Sequence, residues 1–309
     1  MKGAVFAGPG QLELRDIPTP HAGEGELVLK VGANTVCGTD GRILRGEKTA
    51  GIDLGVVLGH EISGFVVEVG HGVAGFSEGD LVSVMPTVPC LACYYCKAGA
   101  EHLCTRSTLF GYALDGGLAD YVRIPAQAME RGGVFRAESN VSAVEAALAE
   151  PLGCVLNGAA NYQPDAGDTV VVIGAGPIGL LHTQVNRLYG ASQVIVSDPA
   201  GERRALAEKL GATHTVDPTA QDLGEFVRGL TDGRGADVAV ICIGHNALVQ
   251  QAFQIVRKRG RVNAFAGFPK GSTALMEPNV IHSRELQVTG GSNARRADVR
   301  RAGGLLSSG

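Results

Sequence analysis

Asp168-Thr-Val-Val-Val-Ile-Gly-Ala-Gly-Pro-Ile-Gly179 is the stretch on which the fold turns. Its first half, Thr169 to Ile173, is a β-branched run between a polar residue and a glycine, the pattern of a strand buried on both faces. Gly174, Gly176 and Gly179 follow, with Pro177 and Ile178 among them; Leu180 to Tyr189 then has helical length and stops at Gly190. A second apolar run, Val194 to Val196, closes on Ser197-Asp198. The spacing has a physical reading. The first glycine permits the tight turn, the second lets backbone approach a pyrophosphate, and the third lets helix pack on strand. Free N–H groups at the positive end of the helix dipole then face the phosphates. Asp198, 19 residues past Gly179, stands where ribose hydroxyls need an acceptor. A Gly-rich turn in an ordinary α/β core explains the glycines but not strand, loop, helix, strand and acid in register. The stretch therefore predicts a dinucleotide site in a doubly wound parallel sheet.

Downstream, apolar runs at Val238 to Ile243, Val262 to Phe265 and Leu286 to Thr289 alternate with helical segments containing Leu206 to Leu210 and Leu248 to Val256. That rhythm means α/β, a Rossmann-type parallel sheet covered on both faces. Upstream, from Met1 to about Pro151, short strands are cut by glycine. Leu27, Leu29 and Val31 alternate, as do Phe65, Val67 and Val69, and Leu81, Val82 and Val84 begin another segment. This half is expected to be mainly β, a small partly open barrel. Ala143 to Ala160, an apolar helical stretch containing Pro151, links the halves and is expected to form one wall of a ligand cleft.

With 309 residues the chain can bury the cores of two domains. A net charge of -4 points to neither nucleic acid nor an anionic membrane surface. The longest apolar run, Val170 to Leu181, is broken by glycines and a proline and is too short to span a bilayer. Lys2 is followed by Glu13, Arg15 and Asp16, which does not read as a secretory signal. Seven cysteines, four of them between positions 90 and 104, suggest metal thiolates in a reducing compartment before disulfides. These features predict a soluble cytoplasmic protein with a small-molecule partner, no nucleic acid and no membrane.

Cys90, Cys93, Cys96 and Cys104 supply four soft ligands and no open position, the set of a closed structural zinc site, with iron–sulfur ligation or free thiols as alternatives. A second cluster is dispersed. Cys37-Gly38-Thr39-Asp40 lies after one strand, Gly59-His60-Glu61 before another, and Glu150-Pro151-Leu152 at the link. One sulfur, one imidazole and one or two carboxylates leave a shell incomplete, as a catalytic zinc requires. Singly, Cys37 reads as a small core residue, His60 as a hydrogen-bonded core histidine and Glu61 as a surface acid; beside a dinucleotide fold the three together favour the metal.

In these motifs, which run in order across nearly the whole chain, the sequence resembles the zinc-dependent medium-chain dehydrogenases, the superfamily of alcohol, sorbitol and threonine dehydrogenases. The resemblance implies a GroES-like catalytic domain at 1–150 with a structural zinc lobe at about 88–106, a Rossmann NAD-binding domain at 151–292, and a helical segment at 293–309. The family's final catalytic-domain portion is expected to be absent. It implies Cys37, His60 and Glu150 as catalytic zinc ligands, Glu61 as a direct or intermittent ligand, and Cys154 as a fallback. Asp40 would orient His60, and Thr39 would accept the substrate proton. Gly174, Gly176, Pro177, Ile178, Gly179, Asp198, Ile243 and Ala266 would hold the cofactor.

Many relatives carry a histidine where this chain has Arg42, and a guanidinium cannot accept a relayed proton, so the cofactor ribose is expected to pass it straight to water. Asp198 repels a 2′-phosphate and favours NAD over NADP. Thr39, His60, Phe110 and the strand end at Ile241 to Ile243 are expected to line the substrate pocket, and Arg203, Arg204 and the Arg295, Arg296, Arg300, Arg301 set to be solvated helix faces. Glu285 to Thr289 resembles a strand that pairs across a two-fold axis, implying a homodimer or homotetramer. The expected activity is hydride transfer between a secondary alcohol, a polyol or sugar alcohol, and NAD, with two zinc ions per chain. The alternatives are an L-threonine or amino-alcohol 3-dehydrogenase and a noncatalytic dinucleotide-binding protein.

Overall fold

The computed structural model describes residues 1–308, which form two compact units: Met1–Gly153 together with residues from Asn293 on, and Cys154–Ser292. The border falls inside the helix Ala149–Tyr162. No helix among the described residues is long and apolar enough to cross a membrane.

The second unit carries, among the described residues, a six-stranded, all-parallel sheet. Its strands are Thr169–Ile173, Gln193–Ser197, His214–Val216, Ala236–Ile241, Val256–Ala264 and Gln287–Gly290. Numbered by chain position they lie in the order 3-2-1-4-5-6, with helices in the crossovers because parallel neighbours cannot be joined by a tight turn. The central strand Thr169–Ile173 is buried along its whole length and packs with Ile195, Val216, Ala239 and Ile241. Burial of each such valine or isoleucine stabilises the fold by about 1.5–3 kcal/mol.

Polar groups fix the ends of that strand. Asp237 accepts the Thr169 N–H at 2.8 Å, and Asp168 accepts from Arg261 at 2.6 Å and from the Asp165 N–H at 2.8 Å. Beneath the sheet, Tyr162 Oη lies 3.1 Å from His182 Nδ1 and accepts from Asn186 Nδ2 at 2.9 Å. The His182 ring meets Phe265 edge-on at 4.5 Å, and its Nε2 is buried without a partner. Complete burial pulls the His182 pKa down to about 3.

The first unit holds a five-stranded antiparallel sheet in the order Tyr121–Ile124, Leu27–Thr35, Glu61–Val69, Leu81–Val84, Val134–Arg136. A bulge between Val28 and Leu29 sets Leu29 opposite Val66, and both point into the core. Phe65 and Val67, read from the sequence as one alternating apolar face with Val69, are 42% and 38% exposed; the buried face is Ile62 and Val66. Two buried serines in these strands bond the neighbouring helix, Ser63 to the carbonyl of Ala143 and Ser83 to that of Ala146. The apolar stretch from Ala143 is two helices, Ala143–Ala147 and Ala149–Tyr162, interrupted at Leu148. Pro151 is tolerated because it lies in the first turn of the second, where its missing N–H has no intrahelical partner.

Two readings of arginine are corrected. Arg296, on the helix Arg296–Ser308, donates its backbone N–H to buried Glu101 at 3.0 Å and its guanidinium to the Arg131 carbonyl at 2.6 Å. Arg295 grips Asp298 through both carboxylate oxygens. Arg296 therefore ties its helix to the cysteine-rich segment at Glu101 and Arg295 is held by the first turn of the same helix, whereas Arg300 and Arg301 are exposed as expected. Arg204 is likewise held, by the carbonyls of Asp198 and Pro199 and by Asp217 at 3.1 Å, whereas Arg203, 60% exposed, lies 3.8 Å from the Asp198 carboxylate.

Because the fold favours neutral His182, the unfolded chain binds one more proton below the ordinary histidine value of about 6.5. Stability is thus fully present above that value and falls as pH decreases toward about 3. Between about pH 6.5 and 5 the loss from this group is about 2 kcal/mol, and urea denaturation of the wild type and His182→Gln should show a shallower pH slope in the variant. Equal slopes would remove His182 as the cause.

Candidate active site

Two groups of metal-ligating side chains come together in the first unit: Cys90, Cys93, Cys96 and Cys104, and Cys37, His60 and Glu61, with the ligand atoms of each group within 4.8 Å of one another. In the cysteine group Sγ separations are 4.0 Å for Cys90–Cys96, 3.5 Å for Cys93–Cys96 and 3.9 Å for Cys93–Cys104. A tetrahedron of sulfurs about 2.3 Å from a zinc ion has edges of about 3.8 Å, so the set fits that ion. All seven cysteines are free of disulfides. Backbone N–H groups point at the sulfurs: Cys93 to Cys90 at 3.3 Å, Cys90 to Cys104 at 3.3 Å, Arg106 to Cys104 at 3.4 Å. The Ala92 N–H lowers the Cys90 pKa to about 6, and that of Cys96 lowers Cys93 to about 7, favouring thiolates. Burial pushes Cys96 up to about 12, a cost that a bound cation reverses.

The second group is positioned by a strand, a helix and a turn. Cys37 follows the strand Leu27–Thr35 and caps the helix Gly38–Leu44. Asp40 in the first turn of that helix accepts the Cys37 N–H at 2.9 Å and presents Oδ1 3.2 Å from His60 Nδ1, close but not aligned for a hydrogen bond. His60 Nε2 is left for the Cys37 side. Gly59 must be glycine, because φ is +94° and a Cβ would lie 2.8 Å from both Asn34 and Leu118. Glu61 opens the strand Glu61–Val69 and accepts from the Thr35 hydroxyl. Glu150, in the first turn of Ala149–Tyr162, lies outside the group of three but acts electrostatically on His60. Thr39 is half-buried beside Cys37.

Burial alone would depress the His60 pKa. The nearby Asp40 carboxylate and Cys37 sulfur, with the charge of Glu150, overcome it and hold the imidazole well above its ordinary value. Asp40, Glu61 and Glu150 are each under 9% exposed, so buried anions converge on one imidazole, an environment that demands a cation. The donors present, one sulfur, one nitrogen and carboxylate oxygen, suit zinc with a position left open.

Phe110 is not a pocket residue. It is fully buried in the apolar cluster with Leu27, Leu29 and Ile62. Two residues that no motif marks stand at the site instead. The Tyr112 ring meets His60 edge-on at 5.9 Å, and Lys48 Nζ lies 5.2 Å over the Tyr112 ring.

In the second unit the glycine loop behaves as its spacing predicts. Gly174 has φ +106°, and a Cβ on Gly179 would lie 1.8 Å from the Gly174 carbonyl oxygen. A Cβ on Gly176 would meet nothing within 4 Å, so no protein atom requires glycine there and the space suits a ligand's pyrophosphate. The helix Pro177–Leu188 starts at Pro177-Ile178. Asp198, 1% exposed, accepts the Ala175 N–H at 2.8 Å through Oδ2 and the Ala200 N–H at 2.9 Å through Oδ1. Its carboxylate therefore ties the loop to the second strand. Ile243 packs beside Gly174, and Ala266 donates to the Ile241 carbonyl at 2.9 Å. Loop, Asp198, Ile243 and Ala266 all follow carboxyl ends of adjacent strands, at the switch point where such sheets bind ligands.

Comparison with known proteins agrees with both units. Residues 23–131 match the alcohol dehydrogenase GroES-like domain family, and residues 177–308 the zinc-binding dehydrogenase family. The chain is 38% identical to an L-threonine 3-dehydrogenase of Pyrococcus furiosus over 90% of its own length and 78% of the relative's. It is 34% identical to an erythritol/L-threitol dehydrogenase of Mycolicibacterium smegmatis over 94% and 82%. A crystal structure of a zinc-binding dehydrogenase from Sinorhizobium meliloti bound to NADP superposes with a TM-score of 0.93 at 36% identity, covering 99% of this chain and 88% of that one. With both domain families matched and ligand groups and glycine loop in place, the chain belongs to the zinc-dependent medium-chain dehydrogenase superfamily.

Proposed function

We propose that this protein is a zinc-dependent oxidoreductase that transfers hydride between a secondary alcohol, of the polyol or sugar-alcohol class, and NAD. The observation that carries the reading is the incomplete group of Cys37, His60 and Glu61 in a chain that also has the open Gly176 cradle. Cys37 and His60, with Glu61 or Glu150, would hold a catalytic ion, and the Cys90, Cys93, Cys96 and Cys104 set a structural one. A zinc ion at the first site supplies Lewis acidity to the substrate oxygen. Asp40 fixes the His60 ring and keeps its nitrogen basic toward the site. The Thr39 hydroxyl takes the alcohol proton. Arg42, permanently charged, is no station on the proton path. The glycine loop and the helix at Pro177 bind the pyrophosphate, and Asp198 faces the adenosine ribose.

A second reading, an L-threonine or amino-alcohol 3-dehydrogenase, is favoured by the name of the 38% identical relative. The strand Gln287–Gly290 supports a homodimer or homotetramer: it pairs with Val256–Ala264 on one side, and Val288 is 47% exposed.

A panel of polyols, butanediols and L-threonine followed by reduced-nicotinamide absorbance decides between these substrates, and no turnover of any secondary alcohol would refute the enzyme. Metal analysis should find two zinc ions per chain, falling to one in Cys37→Ser with turnover lost; a single zinc in the wild type would favour a noncatalytic binder. Asp198→Ala should lower the NAD-over-NADP ratio of kcat/KM about tenfold or more, and an unchanged ratio would dismiss the carboxylate as a selector. Light scattering should give twice or four times the 31.9 kDa chain mass; a monomer would contradict the edge-strand reading.

A further inference from the structure

Lys48 stands out among the charged residues of the first unit. It is half-buried, and the charged groups that act on it are Arg42 and Cys37, with no carboxylate paired to it among the described residues. Lysine is seldom withdrawn from water without a partner, because desolvation of the ammonium goes uncompensated. Burial first, and then the nearby Arg42 guanidinium, push its pKa down. The contrary influence is the Cys37 thiolate, which a bound cation at that site would offset. The Lys48 ammonium then lies over the face of Tyr112 at 5.2 Å, and the same ring stands against the His60 imidazole at 5.9 Å.

A single aromatic ring therefore links the ammonium to the imidazole that Asp40 orients. The chemistry missing beside Lys48 is an anion, and a substrate can bring one.

We propose that Lys48 is a specificity residue that receives the anionic group, a carboxylate or a phosphate, of a hydroxyl substrate oxidised at the Cys37, His60 and Glu61 site. The proposal rests on the dehydrogenase reading above and narrows its substrate to acidic members of the alcohol class. Arg42, one turn along the helix that Cys37 caps, adds positive potential to the same region. Tyr112 holds the ammonium in place through its ring face, so the cation is preorganised before the anion arrives.

The test compares four-carbon substrates of one skeleton and three charges, threitol, threonate and threitol 4-phosphate, with the zinc-loaded full chain and NAD. We expect kcat/KM for threonate or the phosphate to exceed that for threitol by about tenfold or more, 1.4 kcal/mol per decade, chiefly through KM. The advantage should shrink as ionic strength rises. Which anion gains more identifies carboxylate or phosphate as the native group. Lys48→Met should reduce the anion-to-neutral ratio about tenfold, and Lys48→Arg should restore part of it. An equal kcat/KM for all three compounds in the wild type, or a ratio unmoved by Lys48→Met, would overturn the proposal and leave the dehydrogenase reading standing. Oxidation of no secondary alcohol at all would instead bring down the reading on which it rests.

Discussion

Buried negative charge around His60 is the constraint on which the first unit depends. Asp40, Glu61 and Glu150 are withdrawn from water, and Cys37 adds a thiol that ionises on metal ligation. Anions confined in low dielectric repel one another, and each is costly without a compensating cation. The fold accepts that cost by giving each group a role: Asp40 fixes the start of the Cys37 helix, Glu61 receives the Thr35 hydroxyl, and Glu150 sits in the first turn of a helix where the dipole favours it. Asp40 Oδ1 and His60 Nδ1 nonetheless stay buried without a hydrogen-bond partner, and the sum of these charges still calls for a positive one. A cation held between Cys37 and His60 would meet that demand.

The second unit answers a different constraint, one of clearance. Gly179 and Gly174 touch through backbone atoms, which brings the helix Pro177–Leu188 down onto the strand Thr169–Ile173. Asp198 then fastens the loop from the adjoining strand by accepting the Ala175 N–H. A side chain that the family resemblance assigns to ribose recognition is also a structural tie, so loop shape and nucleotide preference share one carboxylate.

The elements most legible in the sequence were those whose chemistry is local. The glycine spacing fixed the turn because positive φ and backbone contact are decided within six residues, and the cysteine quartet was visible because its ligands lie in one short segment. Cys37 and His60 lie far apart in sequence but each comes with its own local neighbours, Gly38-Thr39-Asp40 and Gly59. Lys48 and Tyr112 carried no such signal; they meet only because the chain folds back on itself, and neither residue type is diagnostic alone. Phe110 carries no local signal either, since the core it joins is built by Leu27, Leu29 and Ile62 from distant strands. Phe65 and Val67 lie on the outward side of the alternation that buries Ile62 and Val66, and the bulge opposite Val28 and Leu29 returns Val69 to the core, a shift that a period-two pattern cannot register. The arginines near position 296 looked like a charged helix face until Glu101 and the Arg131 carbonyl, more than 160 residues away, supplied their partners.

The first unit is discontinuous: residues 154–292 are inserted between Gly153 and Asn293, and Arg296 reaches back to Glu101. Synthesis runs from the N-terminus at roughly 5–20 residues per second, so Glu101 is made well before its partner Arg296. The lobe's tie to Arg296 is therefore supplied by a part of the chain that comes after the whole nucleotide-binding insert.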